Sequence, residues 1–193
     1  MIWKVLFLGV LVAFVVIRAQ WRQVWAHIPR QGIASTRERL LTSGIVFSQL
    51  IPAAIWLGTP ALLAFADVAV PDAVRLAGLG ICVASLVLLW KVHAALGAEF
   101  SPRLELREEH TLIERGPYKT IRHPMYTTGF LLTIGYGLLT ANAVVGAVPF
   151  AALLLLVVLR LPDEEAMLTE RFGETYTAYQ QRTGRFFPPL RRP

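Results

Sequence analysis

The chain of 193 residues has a single cysteine, Cys82, and it lies inside an apolar run. That excludes a disulfide framework and a cysteine-based metal cluster, leaving Cys82 as a small packing residue. Charge is also scarce: 17% of residues are Asp, Glu, Lys or Arg, against about a quarter in ordinary soluble domains. There is no glycine-rich phosphate loop, because Gly78-Leu79-Gly80 falls within an apolar stretch and lacks a strand–helix setting. The four histidines, His27, His93, His110 and His123, have no zinc-site spacing and no cysteine partners. No serine occupies a nucleophile elbow. No small-residue cleavage site follows the first apolar run, which ends in Arg18-Ala-Gln-Trp-Arg22, so a retained helix is expected rather than a signal peptide.

Apolar residues dominate instead, at 55% of the chain with a mean hydropathy of +0.52. Five apolar segments emerge, at 2–17, 40–66, 73–97, 125–141 and 144–161. A spanning helix needs ~20 residues, and the fourth and fifth segments are at the short end of the tolerated range. The second is interrupted by Pro52 and Pro60, which should kink or break it. The fourth and fifth are separated by little more than Asn142 and read as one tight helical hairpin.

The net charge of +6 does not indicate nucleic acid, because the basic residues cluster in two loops and the tail beside apolar stretches. Loop 18–39 carries Arg18, Arg22, Arg30, Arg37 and Arg39, with only Glu38 opposing. Loop 98–124 carries Arg103, Arg107, Arg115, Lys119 and Arg122, whereas loop 67–72 has Asp67 and Asp72 and no basic residue. The alternation predicts an all-α integral membrane protein with five transmembrane helices, N-terminus outside and C-terminus inside. One domain is expected over residues 1–193. Its size and simple topology point to a prokaryotic inner membrane, with the active site facing the cytoplasm.

Polar residues concentrate in two pieces, Glu99–Pro124 and Arg160–Pro193, which flank the hairpin and emerge on one side. In Gly116-Pro117-Tyr118-Lys119-Thr120-Ile121-Arg122-His123-Pro124-Met125-Tyr126, Gly116-Pro117 signals a turn and Pro124 suits the first turn of a helix. Arg122 and His123 then stand at a helix mouth that favours an anion, such as a cofactor carboxylate; an interfacial anchor is the competing reading. In the second piece, Arg160 and Glu164 share a helical face if the helix survives Pro162. Alternatively, Arg160 snorkels at a helix end and Pro162-Asp163-Glu164-Glu165 begins the next helix. Met167, Leu168, Phe172, Tyr176 and Tyr179 recur at near-helical spacing, as for an amphipathic helix packed on the body, with stacking on a cofactor the competing reading. Gly184–Pro189 is expected to form an apolar patch on the membrane.

These two blocks, in this order around a hairpin, resemble the isoprenylcysteine carboxyl methyltransferase family and the wider group containing phospholipid N-methyltransferases. The resemblance runs from about Lys91 to Pro189, the catalytic region 91–189. It implies an S-adenosyl-L-methionine-dependent methyltransferase, yielding S-adenosylhomocysteine, with a cytoplasmic cofactor site formed by the loop before helix 4 and the C-terminal helix. By position it assigns His110, Thr111, Leu112, Ile113, Tyr118, His123, Pro124, Met125, Tyr126 and Glu164 to the cofactor. Arg160 falls where the family holds the substrate carboxylate, so Arg160 and Glu164 are the expected catalytic pair. The implied partner is a lipid-like or prenylated acceptor entering from the bilayer, with no metal and no nucleic acid. The alternatives are an amine or phospholipid acceptor, for which Glu164 or Glu165 would take a base role, an NADPH-dependent sterol-type reductase sharing an RHP-x-Y segment, and a non-catalytic membrane scaffold.

Overall fold

The computed structural model describes residues 1–26, 36–97 and 111–189. Its elements are α1 (Ile2–Ala26), α2 (Thr36–Gly58), a 3-10 helix (Pro60–Ala66), α3 (Asp72–Leu96), a 3-10 turn (Gly116–Lys119), α4 (Pro124–Thr140), α5 (Ala143–Phe172) and α6 (Glu174–Arg182). Among the described residues the only β pairing consists of two isolated bridges, Asp67 with Asn142 and Ile121 with Gly184. Among the described residues, four helices are long and apolar enough to cross a membrane: Ile2–Trp21, Thr36–Gly58, Asp72–Leu96 and Ala143–Phe172. The 17 residues of α4 give a length of about 25 Å.

The two prolines expected to interrupt the second segment behave differently. Pro52 lies buried inside α2, which runs on to Gly58. Only Thr59-Pro60 ends it and begins the 3-10 helix. Pro162 does not start a new helix either: α5, 30 residues long, continues through it to Phe172. Backbone groups disturbed by a proline in such a helix must find other partners, and the Leu159 carbonyl accepts from Arg37 Nη2 at 2.8 Å. At 1.5 Å per residue, α5 is about 45 Å long and outruns a ~30 Å hydrocarbon core. Its last turns therefore carry Glu164 and Glu165 past the apolar layer. The break comes at Gly173 instead, whose φ of +53° is one that L side chains rarely adopt. The expected amphipathic tail is thus split, with Met167, Leu168 and Phe172 on α5 and Tyr176 and Tyr179 on α6.

The α4–α5 hairpin packs against α3 on one side and α2 on the other. Close approach of α3 to α4 depends on Gly78, where an added Cβ would lie 2.6 Å from the Leu139 nitrogen. The main core joins Phe7, Trp56, Cys82, Leu132, Tyr136 and Leu139 from α1 to α4. Phe7 meets Trp56 and Tyr136 edge-on, with centroids 5.5 and 5.2 Å apart.

The hairpin turn is fixed by one side chain. Asn142 Oδ1 accepts from the backbone nitrogens of Val144 and Val145 at 3.1 and 3.2 Å, capping α5. Its Nδ2 donates to Leu63 O at 2.9 Å and Asp67 Oδ1 at 2.8 Å. With the turn pinned at one end of the bundle, Pro124 and Arg160 emerge together at the other.

Candidate active site

The chain from Ile121 to Pro124 is held by the C-terminal segment. Arg122 N donates to Gly184 O at 2.8 Å, His123 N to Arg185 O at 3.0 Å, and Gly184 N to Thr120 O at 3.0 Å. Two N–H groups at the helix mouth are therefore engaged by carbonyls, and the anion beside His123 is the protein's own Glu165. Arg122 is a clasp: Nη1 donates to the carbonyls of Gln180, at 2.9 Å, and Thr183, while Nε reaches Glu165 Oε1 at 3.4 Å. Tyr179 Oη donates to Tyr118 O at 2.7 Å. Gly184–Phe186 thus forms a strap across the mouth of α4, with Thr127 Oγ1 donating to Phe186 O at 2.7 Å. Phe186 packs against His123, Tyr126 and Phe130 rather than spreading on a surface, whereas Phe187 is exposed.

Because α5 survives Pro162, Arg160 and Glu164 do share a face, with Arg160 Nε 3.9 Å from Glu164 Oε2. Glu164 also accepts from Tyr126 Oη at 2.8 Å and lies 3.7 Å from His123 Nδ1. Glu165 takes the other side of the imidazole, with Oε1 3.2 Å from Nε2, and its Oε2 accepts from Arg185 Nη2 at 2.6 Å. His123 is 4% exposed. Burial works against its charged form, but hydrogen bonds and charge from Glu164 and Glu165 outweigh it and raise its pKa. Burial also pushes the Tyr118 phenol well above its ordinary value, with Glu164 adding to the effect. Tyr118 is therefore a neutral donor at physiological pH.

A cavity of about 520 Å³ opens from this cluster into the bundle. Thr111, Leu112, Ile113, Tyr118, His123, Met125, Tyr126, Arg160 and Glu164 all line it. Pro124 is buried behind the lining, and His110 lies outside the described residues. Three contributions lie beyond the site residues assigned from sequence. Tyr176 and Tyr179 also face the cavity, and the 1% exposed Tyr176 has a buried hydroxyl with no hydrogen-bond partner among the described residues. Leu11, Phe14, Val46 and Leu50 of α1 and α2 wall its apolar part. Glu38 of α2 stands 3.6 Å from Arg160 Nη1. The sequence signal for Glu38 was present, as the lone acid in an otherwise basic loop. Among the described residues, no group of three or more His, Cys, Asp and Glu side chains is arranged to hold a metal ion.

The isoprenylcysteine carboxyl methyltransferase (ICMT) family matches residues 77–170, from within α3 almost to the end of α5. Over this region the chain is similar to the ICMT family. The Tribolium castaneum protein-S-isoprenylcysteine O-methyltransferase is 31% identical over 113 residues, 58% of this chain and 40% of that protein. The cobalt-zinc-cadmium resistance protein CzcN of Cupriavidus metallidurans is 32% identical over 120 residues, 62% of this chain and 51% of that protein. The chain thus spans about half the length of these relatives or less. A solved structure of a eukaryotic intramembrane Ras methyltransferase, ICMT, superposes with a TM-score of 0.64 at 24% identity, covering 95% of this chain and 66% of that one. The fold is ICMT-like, and its apolar helices make the chain an integral membrane protein. The family match stops before α6 and the strap, and begins after α1 and α2.

Proposed function

We propose that the protein is an S-adenosylmethionine-dependent methyltransferase acting on a membrane-embedded acceptor, the carboxylate of an isoprenylcysteine-like or other lipid-like compound. The observation that carries this reading is the cavity, which joins the Arg160–Glu164–Tyr126–His123 cluster to apolar walls from α1 and α2. A soluble binding site would have no need of that apolar extension, and a lipid-like acceptor does.

The residues present fit S-adenosylmethionine. The cofactor is a zwitterion with polar ribose and adenine groups, and the polar end of the cavity offers Glu164, Tyr118 and the orphaned hydroxyl of Tyr176. Thr111, Leu112, Ile113, Met125, Tyr126 and His123 complete that wall, with Pro124 setting the start of α4 behind them and His110 assigned on family position alone. When bound, S-adenosylmethionine supplies a methyl group on a sulfonium for in-line displacement, leaving a neutral thioether.

The chain's own residues then have to orient and desolvate. Arg160 holds the acceptor carboxylate by charge-assisted hydrogen bonds. That carboxylate is ionised at neutral pH, so no side chain needs to remove a proton. Glu164, fixed by Tyr126 and His123, binds the cofactor's amino group or ribose. Glu165 and Arg122 keep His123 and the strap in place. The apolar walls exclude water and take the lipid-like chain.

In this reading residues 1–193 form one domain with its catalytic region at 91–189. The 17-residue α4, antiparallel to α5 in a tight hairpin, is the fifth span. The N-terminus lies outside, and the site faces the cytoplasm of a prokaryotic inner membrane, as the basic loops favour. Calorimetry on the purified protein tests the cofactor assignment. Binding of S-adenosylhomocysteine is expected; affinity for NADPH with none for S-adenosylhomocysteine would favour the sterol-type reductase instead.

A further inference from the structure

Arg160 does not face Glu164 alone. Its Nη1 lies 3.6 Å from Oε1 of Glu38, on the first turn of α2. Both side chains are largely buried, at 15% and 18% exposure. The separations from Glu38 and Glu164, 3.6 and 3.9 Å, exceed the ~2.7–2.9 Å of a tight charge-assisted hydrogen bond. Glu164 is anchored elsewhere, by Tyr126 Oη at 2.8 Å. The start of α2 is fastened by the neighbouring residue, since Arg37 donates to Leu159 O at 2.8 Å and pairs with Asp163 at 3.3 Å. Glu38 is thus a carboxylate set against the guanidinium by a helix that Arg37 secures independently. It also lies outside the family-matched region of 77–170.

We infer that Glu38 is a specificity-determining residue, a resident carboxylate that an anionic acceptor must displace from Arg160. This rests on the reading of Arg160 as the anchor for the acceptor carboxylate. An acceptor carboxylate can compete for the guanidinium because it carries the same charge and donor-matching geometry as Glu38. A methyl ester cannot compete in that way, so Glu38 keeps its place on Arg160 when the neutral product is bound. Glu38 thereby lowers affinity for the acid while leaving affinity for the ester unaffected.

The test uses the full chain in lipid nanodiscs, with N-acetyl-S-farnesylcysteine as the acid probe and its methyl ester as the neutral one. Glu38→Gln is expected to lower KM and the dissociation constant for the acid by roughly three- to tenfold, the size of a partly screened ion pair. Ester binding should stay unchanged. Glu38→Asp, which retracts the carboxylate, should shift the acid in the same direction by less, and serves if the glutamine variant fails to insert. Unchanged or weaker acid binding in both variants, or equal shifts for acid and ester as a merely structural role would give, overturns the inference. A wild-type protein that transfers no methyl group to the acid overturns the functional reading itself, a separable result.

Discussion

The two ends of the helix bundle use their polar side chains to opposite effect. At the far end, side chains are spent on backbone: Lys4 Nζ donates to Leu57 O at 2.7 Å, Arg75 Nη2 to Thr140 O at 3.0 Å, and Asn142 to Leu63 O while capping α5. Each satisfies a carbonyl or N–H left open where a helix stops, as an apolar environment demands. At the site end, Arg160, Glu38, Glu164, His123 and Glu165 are gathered mainly on one another, and several of them face a cavity. Buried charges arranged in this way are costly as pure structure. Polar residues that fasten a fold close on its backbone, whereas those that serve a ligand leave donors and carboxylates aimed at open volume.

Removing one group from each end separates the two roles. Arg160→Ala should lower methyl transfer by about two orders of magnitude or more, the penalty for losing the partner of a bound charge, while membrane insertion persists. Labelled-methyl incorporation and extraction of the inserted protein check both halves. Loss of insertion would move Arg160 to the structural class. Asn142→Ala should do the reverse. It strips an N-cap and two buried donor contacts, costing about 2 kcal/mol, and should lower the unfolding midpoint in detergent without changing KM for either substrate.

Smaller effects refine the picture. Tyr126→Phe deletes the hydrogen bond to Glu164 and should weaken S-adenosylhomocysteine binding about tenfold, read by calorimetry, with the fold intact. The smallest expected effect is a pH dependence. His123 has a folded-state pKa raised above its ordinary ~6.5. Its stabilising contribution is then fully present below about 6.5 and is lost as pH rises through the higher folded value. The thermal midpoint should therefore decline as pH rises from 6.5, and His123→Gln should flatten that decline.

Much of this was legible in sequence because the signals were local. Apolar runs and loop charges outlined the helices, and Gly116-Pro117 and His123-Pro124 marked the entry to α4. Arg160 and Glu164, four residues apart, needed only an intact helix to meet. What sequence hid depended on distant contacts. Pro162 reads locally as a helix start, yet α5 runs through it, with Arg37 of another helix supplying a donor to the disturbed turn. The strap was invisible because Gly184–Phe186 carries no periodic pattern and is defined by distant contacts, chiefly the carbonyls it presents to Arg122, His123 and Thr127. Glu38 stood out as an odd acid in a basic loop, but only the packing of α2 on α5 gave it a partner.

The decisive reaction is methyl transfer to a lipid-like carboxylate held by Arg160. It is tested most directly by incubating membranes containing the protein with methyl-labelled S-adenosylmethionine and extracting the products. Label is expected in a base-labile ester of a lipid-like or prenylated acid, abolished by Arg160→Ala. Label found only in base-stable N-methyl lipid, or no label dependent on the protein, would contradict it.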